Sequence, residues 1–329
     1  MDIYIKSFNR AYLLHRTIAS IYHYLNDFDG RVVVLDDGTP QKYLNKIIEL
    51  FTDVQIIKSP YYQQKSQDIS LNKVPEKVIP ANFWCDEVLK GSEYFILLED
   101  DMWFNQPINY KDFTKDVYDL KLDMIKFLWL KNSKLISDNI TKKTSHFNIV
   151  QPKVLTKNPF LFDAIFRTNK FKLGSLVVKM FDHKLELLKY YHLYMVAGGV
   201  FSKRYYENTW KNSQNKVDEL ANISKVLYKI NDFKLGNTKQ EILKTTVKFT
   251  ASDIQKEKFG NSLDVFKFNY ILNEAWYNNQ NTHSLNFTND ISDEWIKNCC
   301  ANSDIKFDVW QNWYNDIKKN YELMGCNLD

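Results

Sequence analysis

Tyr94-Phe95-Ile96-Leu97-Leu98-Glu99-Asp100-Asp101 sets five apolar residues directly against three acidic ones. An unbroken apolar run of strand length, bounded by polar residues, suits a strand buried on both faces, and such strands belong to parallel sheets. Glu99 and Asp101 are two residues apart, so on an extended backbone both side chains leave the same face. Upstream of this strand a helix fits residues 82–90, closed by Gly91. Further back, strands fit Val54–Lys58 and residues 31–35 with their β-branched Val32-Val33-Val34, and a helix fits 43–51 between them. Near the start, the short strand Ile3-Tyr4-Ile5 precedes Leu14, Ile18, Ile21 and Leu25, whose spacing makes the apolar stripe of a helix.

This strand–helix alternation predicts an α/β fold, a mainly parallel, Rossmann-like sheet flanked by helices. Ligands of such sheets sit beyond the carboxyl ends of the strands. Three polar turns fall at such ends: Ser7-Phe8-Asn9-Arg10, Asp36-Asp37-Gly38 and Glu99-Asp100-Asp101. The later sequence is less regular. A strand fits 124–130, residues 131–156 read as a polar loop, and Gly198-Gly199 interrupts an apolar run. Helices fit 217–230 and 264–277, and Trp310, Trp313, Tyr314, Ile317, Tyr321 and Met324 form a helical stripe. The expected division is a catalytic domain over 1–250 and a mostly helical extension over 251–329.

With 329 residues, 44% hydrophobic and 26% charged, the chain is long enough for a sizeable core and ordinary for a globular protein. A net charge of +4 is too small for a nucleic-acid footprint. The start lacks the basic and long apolar regions of a secretory signal, and no apolar run reaches the ~18 residues of a membrane span. Cys85, Cys299, Cys300 and Cys326 show no CxxC spacing; free thiols in a reducing compartment are expected, which points to the cytoplasm.

Two carboxylates on one face, Glu99 and Asp101, suit a hard divalent cation such as Mg2+ or Mn2+ that also takes diphosphate oxygens and water. The competing reading is a solvated acidic turn or a helix cap. Asp36-Asp37-Gly38 reads either as a tight turn with glycine at a positive φ or as a contact to the base or ribose of a nucleotide.

Ser7-Phe8-Asn9-Arg10, Leu35-Asp36-Asp37-Gly38-Thr39 and Phe95-Ile96-Leu97-Leu98-Glu99-Asp100-Asp101, in that order, resemble the successive landmarks of GT-A-fold glycosyltransferases of the family 2-like group. The match covers residues 1–105 well and the remainder poorly. The resemblance implies that Phe8, Asn9 and Arg10 line a nucleotide pocket, that Asp36 or Asp37 contacts uracil or ribose, and that Asp100 belongs to the donor site. It implies that Asp101 binds the metal with Glu99 assisting. It also implies an inverting general base about 20 residues after a Gly-Gly segment; Asp218-Glu219 follow Gly198-Gly199 at that spacing, in the reverse of the usual order, and Glu274 is a rival. The expected partners are a UDP-type nucleotide sugar and a glycan or lipid-linked glycan acceptor, in bacterial surface polysaccharide synthesis, with contact at the inner face of the membrane.

His283 is a candidate third metal ligand, though a lone histidine in a polar loop is ordinary surface. Gly198 and Gly199 either admit a sugar close to the backbone or make a bend. The stripe from Trp310 packs a C-terminal helix on the body or, with Lys318 and Lys319, meets a lipid interface. Trp84, Trp103, Trp129 and Trp276 offer sugar-stacking faces or core. Two rival functions remain, a non-catalytic sugar- or nucleotide-binding relative and a sugar nucleotidyltransferase; the absence of GxGxxG and of a Walker lysine motif counts against the latter.

Overall fold

In a computed structural model the described residues are 1–180, 182–251, 263–279, 286–301 and 303–328. In chain order the elements are β1 (Asp2–Ser7), α1 (Ala11–Tyr24), β2 (Leu25–Asn26), β3 (Val32–Asp36), α2 (Gln41–Leu50), β4 (Val54–Lys58), α3 (Tyr62–Ser70), α4 (Ala81–Lys90) and β5 (Tyr94–Glu99). Next come β6 (Met102–Phe104), β7 (Ile108–Asn109), α5 (Tyr110–Leu120), β8 (Met124–Lys126), β9 (Ile140–Lys143) and β10 (Phe147–Val150). Then follow α6 (Pro159–Phe162), α7 (Leu173–Met180), α8 (His183–Tyr190), β11 (Gly199–Ser202), α9 (Lys203–Trp210), α10 (Glu219–Tyr228), β12 (Leu235–Thr238) and β13 (Leu243–Thr245). Three helices close the chain: α11 (Val265–Tyr277), α12 (Asp293–Cys300) and α13 (Phe307–Leu323).

The chain forms two compact units. Unit 1 comprises Met1–Asp2, Ala81–Leu97 and Lys111–Ile242; unit 2 comprises Ile3–Pro80, Leu98–Tyr110 and Leu243–Asp329. In unit 2, β4, β3 and β1 pair in parallel, with Ile3 to Ser7 opposite Val32 to Asp36 and Val32 to Asp36 opposite Val54 to Lys58. This register brings the carboxyl ends of the three strands level. Every residue of β1 and β3 is buried, as the continuous β-branched run demands. α1 buries Leu13, Leu14, Ile18 and Ile21 and packs on β6. In unit 1, β11 lies antiparallel between β5 and β8, so β5 and β8 point the same way, and β12 joins β8 in parallel. The α/β architecture with its mainly parallel strands and helical C-terminal segment is the one the sequence predicts.

Two readings of the sequence need correction. Residues 131–156 are not simply a loop, because β9 and β10 form an antiparallel hairpin there. β9 reads Ile-Thr-Lys-Lys and is exposed throughout, so it carries no apolar alternation to betray it. The strand expected over 124–130 stops at Lys126, and Leu130 and Lys131 take positive φ angles of 53° and 52° that an extended strand excludes.

At the C-terminus half of the stripe is core, while Tyr314 and Tyr321 are half-buried and Met324 is exposed. Trp310, Trp313 and Ile317 are buried, Trp310 stacks on Phe268 of α11 at 6.4 Å, and its indole N–H donates to the Lys248 carbonyl at 3.0 Å. Among the described residues no helix is long and apolar enough to cross a membrane. Trp310→Ala should therefore cost about 3–5 kcal/mol in urea unfolding, whereas Leu323→Ala, at a side chain left 77% exposed, should stay within about 0.5 kcal/mol. Equal effects of the two would contradict this packing.

Candidate functional site

The three polar turns meet in unit 2. The Asp37 N–H donates to the Ser7 carbonyl at 3.0 Å, and the Asp100 N–H to the Lys6 carbonyl at 3.0 Å. The turn after β1 needs a residue that tolerates a left-handed backbone. Asn9 supplies it at φ 52°, and its N–H donates to Thr39 Oγ1 at 2.9 Å. Asn273 of α11 locks the turn by donating to the Asn9 carbonyl at 3.0 Å and to its side-chain oxygen at 3.1 Å.

Arg10 is the hub. Buried at the start of α1, its guanidinium donates to Asp101 Oδ2 at 2.8 Å and to Asp100 Oδ1. Asp100 also accepts the Phe8 N–H at 3.1 Å, and its own carbonyl accepts Thr17 Oγ1 at 2.7 Å. Lys6, a cation inside a buried strand, pairs with Glu99 at 2.8 Å, and the Glu99 side chain is 34% exposed. Three carboxylates thus face two cations, an excess of one negative charge when all three are ionised. Among the described residues Asp101 Oδ1 is buried with no hydrogen-bond partner. Burial works against the charge on Arg10, but Asp100 and Asp101 outweigh it and hold its pKa above the ordinary value. Burial pushes Asp100 up to about 7 against the pull of Arg10, and pushes Asp101 up as well. Glu99 goes the other way: burial opposes its charge, but Lys6 and Arg10 hold it below the usual range.

The β3 turn is occupied differently. Asp36 Oδ1 accepts the N–H groups of Gly38 at 3.0 Å and Thr39 at 2.8 Å, which shapes the turn. Asp37 accepts Lys65 Nζ at 2.5 Å and the Ser59 hydroxyl. Gly38 stands at φ 145°, and a Cβ there would lie 2.6 Å from Lys65 Cβ and 3.0 Å from the Phe8 ring. Lys65 sits on α3, a helix the sequence hides in a polar stretch. Tyr62, Lys65 and Ile69 are its buried residues, and their helical spacing is the one signal that could have found it.

The remaining candidates have other surroundings. Asp218 and Glu219 belong to unit 1. Asp218 caps α10 by accepting the Ala221 N–H at 2.9 Å, and pairs at 3.3 Å with Arg167. Glu219 is half-buried and accepts the Tyr191 hydroxyl at 2.5 Å. Glu274 is tied to Lys42 and Tyr43, joining α11 to α2. Gly199 does allow a close approach, but by β8: its Cβ would sit 2.1 Å from the Ile125 carbonyl oxygen. Trp103 and Trp276 are core, the first under Arg16 at 4.1 Å and the second donating to His15 at 3.0 Å. His283 lies outside the described residues.

As for a divalent cation, no group of three or more His, Cys, Asp or Glu could hold a metal among the described residues. A closed protein cage is thus not present there. The donors do fit an ion held by one or two carboxylates and completed by phosphate and water: Asp101 offers a buried oxygen without a partner and Glu99 is partly open.

Burial raises Asp36 from 3.8 to about 6, opposed by hydrogen bonds from Thr39 and Gly38. The folded state then holds the Asp36 proton more tightly than the unfolded chain. That contribution is complete below about pH 4 and is lost as pH rises through about 6. Asp36→Asn keeps the turn's acceptor and removes the titration. Its stability relative to wild type should rise between pH 4 and 7 by about 2–3 kcal/mol, measured by urea unfolding at each pH. A difference independent of pH, or falling, would contradict it.

No family model matches the chain, and no curated protein does. Among solved structures, Staphylococcus aureus TarS residues 1–349 in complex with UDP is 12% identical, with a TM-score of 0.32, and the match covers 98% of this chain and 92% of that one. A longer TarS chain gives a TM-score of 0.34 at 12% identity, with 98% of this chain spanning 55% of that chain. Mycobacterium tuberculosis glucosyl-3-phosphoglycerate synthase, in complex with Mn2+, UDP and glucosyl-3-phosphoglycerate, is 11% identical at a TM-score of 0.30, over 62% of this chain and 57% of that one. Likenesses of this size assign no activity, and the functional reading rests on the chain's own residues.

Proposed function

We propose that the chain is a metal-dependent glycosyltransferase that moves a hexosyl or N-acetylhexosaminyl group from a UDP-type nucleotide sugar to an acceptor hydroxyl. The observation that carries this reading is Asp101 Oδ1, buried and unpartnered among the described residues at the carboxyl end of β5, beside the partly open Glu99. A buried charge without compensation is costly; a divalent cation bound at Asp101 would offset it, and the same ion would take diphosphate oxygens on its other side. Asp101 would hold the ion with Glu99 assisting. When bound, the ion supplies Lewis-acid stabilisation of the leaving diphosphate.

The chain's own residues hold the rest. Arg10 and Lys6 fix the three carboxylates so that little reorganisation is needed at the moment of transfer. Phe8, Asn9 and the Asp36–Asp37 turn form the wall on which the nucleoside is proposed to rest. Of the three base candidates we favour Glu219, because Tyr191 orients it while Asp218 is spent on capping α10 and Glu274 is tied to Lys42 and Tyr43. Inversion at the sugar is proposed from the resemblance of residues 1–105 alone, and an acceptor on a bacterial surface glycan from what enzymes of that kind commonly do.

Thermal shift in the presence of nucleotides with and without Mn2+ tests the reading. UDP at about 100 times its Kd should add about 2.7 kcal/mol, Mn2+ should enlarge that gain, and Asp101→Ala should remove the enlargement. If no nucleoside diphosphate raises the melting point with or without metal, the proposal is wrong. Glu219→Gln should keep the shift and slow turnover by about 10²–10⁴, with Asp218→Asn near wild type. Full turnover in Glu219→Gln would remove that residue from the mechanism.

A further inference from the structure

Residues 153–189 carry eight Lys or Arg against three Asp or Glu, a net +5 in a chain whose whole net charge is +4. This positive charge is therefore concentrated, in unit 1, and its neighbourhood is apolar. Phe160 is 71% exposed, and Leu161, Val178 and Tyr228 are also exposed large hydrophobic side chains. Phe160 meets Tyr228 edge-on at 5.7 Å. α6 packs on the following turn, Asp163–Arg167, which packs on Lys170–Lys172 and on α7, and both α6 and that turn pack on α10. Gly174 seats α7 closely: a Cβ there would lie 2.6 Å from the Ile165 carbonyl oxygen. Lys157, Lys170 and Lys172 are exposed among these apolar side chains.

Exposed aromatic and aliphatic side chains interleaved with lysines match the chemistry of a bilayer interface, where rings enter the acyl boundary and ammonium groups meet anionic headgroups. A protein partner of ordinary composition has no need of such a concentrated cationic rim. We propose that this face, built from α6, the 163–172 turns, α7 and the end of α10, docks on an anionic lipid bilayer. The inference does not depend on the chemistry proposed for unit 2.

Co-sedimentation of the full chain with sonicated vesicles tests it. Vesicles of phosphatidylcholine with phosphatidylglycerol should carry the protein down, and vesicles of phosphatidylcholine alone should not. Raising salt from about 0.1 M to about 1 M shortens the screening length from about 10 Å to about 3 Å and should release it. Each lysine removed should weaken binding about fivefold, so K157E/K170E/K172E should lose binding on the order of 100-fold or more. Phe160→Ser with Leu161→Ser should also weaken it while leaving the melting point unchanged, since both side chains are exposed. Protein left in the supernatant with anionic vesicles overturns the proposal, as does salt-insensitive binding or equal binding to neutral vesicles. Self-association at the same concentration without vesicle binding would assign the face to a second copy of the chain and overturns it too.

Discussion

One guanidinium between two adjacent carboxylates organises the site. Arg10 leaves the first turn of α1 and reaches Asp100 and Asp101 just beyond β5. Removed from water, none of the three charges would be tolerable alone. Held together they fix the end of β5 against the turn that follows β1, and the Phe8 N–H and Thr17 hydroxyl complete the attachment through Asp100. The left-handed Asn9, the Thr39 hydroxyl and Asn273 all serve the same turn. Mis-shaping that turn would withdraw Arg10 and leave two carboxylates in one buried place.

The pairing does not close the cluster. Lys6 answers Glu99 and Arg10 answers one oxygen each of Asp100 and Asp101, which leaves one oxygen of Asp101 without a partner among the described residues. A structural ion-pair network would ordinarily close on itself. This one stays open at Asp101 Oδ1 among the described residues, which is why the cation is proposed there. At the neighbouring strand end Asp36 Oδ1 serves its own turn, its Oδ2 is also buried without a partner among the described residues, and Asp37 is held by Lys65 and Ser59.

Much of this was legible in the sequence, for a physical reason. β1, β3 and β5 are buried on both faces, so they appear as unbroken apolar runs, and the polar residues at their ends stand out. Asp36, Asp37, Glu99, Asp100 and Asp101 could be singled out from that contrast alone. Lys6 and Lys65 could not: a lysine's partner is set by tertiary structure, and the helix bearing Lys65 offers only three buried positions in a polar background. The hairpin β9–β10 escaped for a related reason, since an exposed strand has no inward face to alternate with. The base stays a matter of proposal because Asp218 and Glu219 are adjacent, and only their partners, a helix N-terminus for one and the Tyr191 hydroxyl for the other, tell them apart.

The role proposed for Asp101 is to hold a divalent cation together with a nucleoside diphosphate. Electron paramagnetic resonance of Mn2+ reads this directly, because the six-line spectrum of the hydrated ion is lost when the ion is bound. With the protein present, addition of UDP should remove the free-ion signal beyond what UDP alone removes, and Asp101→Asn should restore it to the UDP-only level. An unchanged Mn2+ spectrum in the presence of both protein and UDP, or a loss of signal that survives Asp101→Asn, would contradict the account.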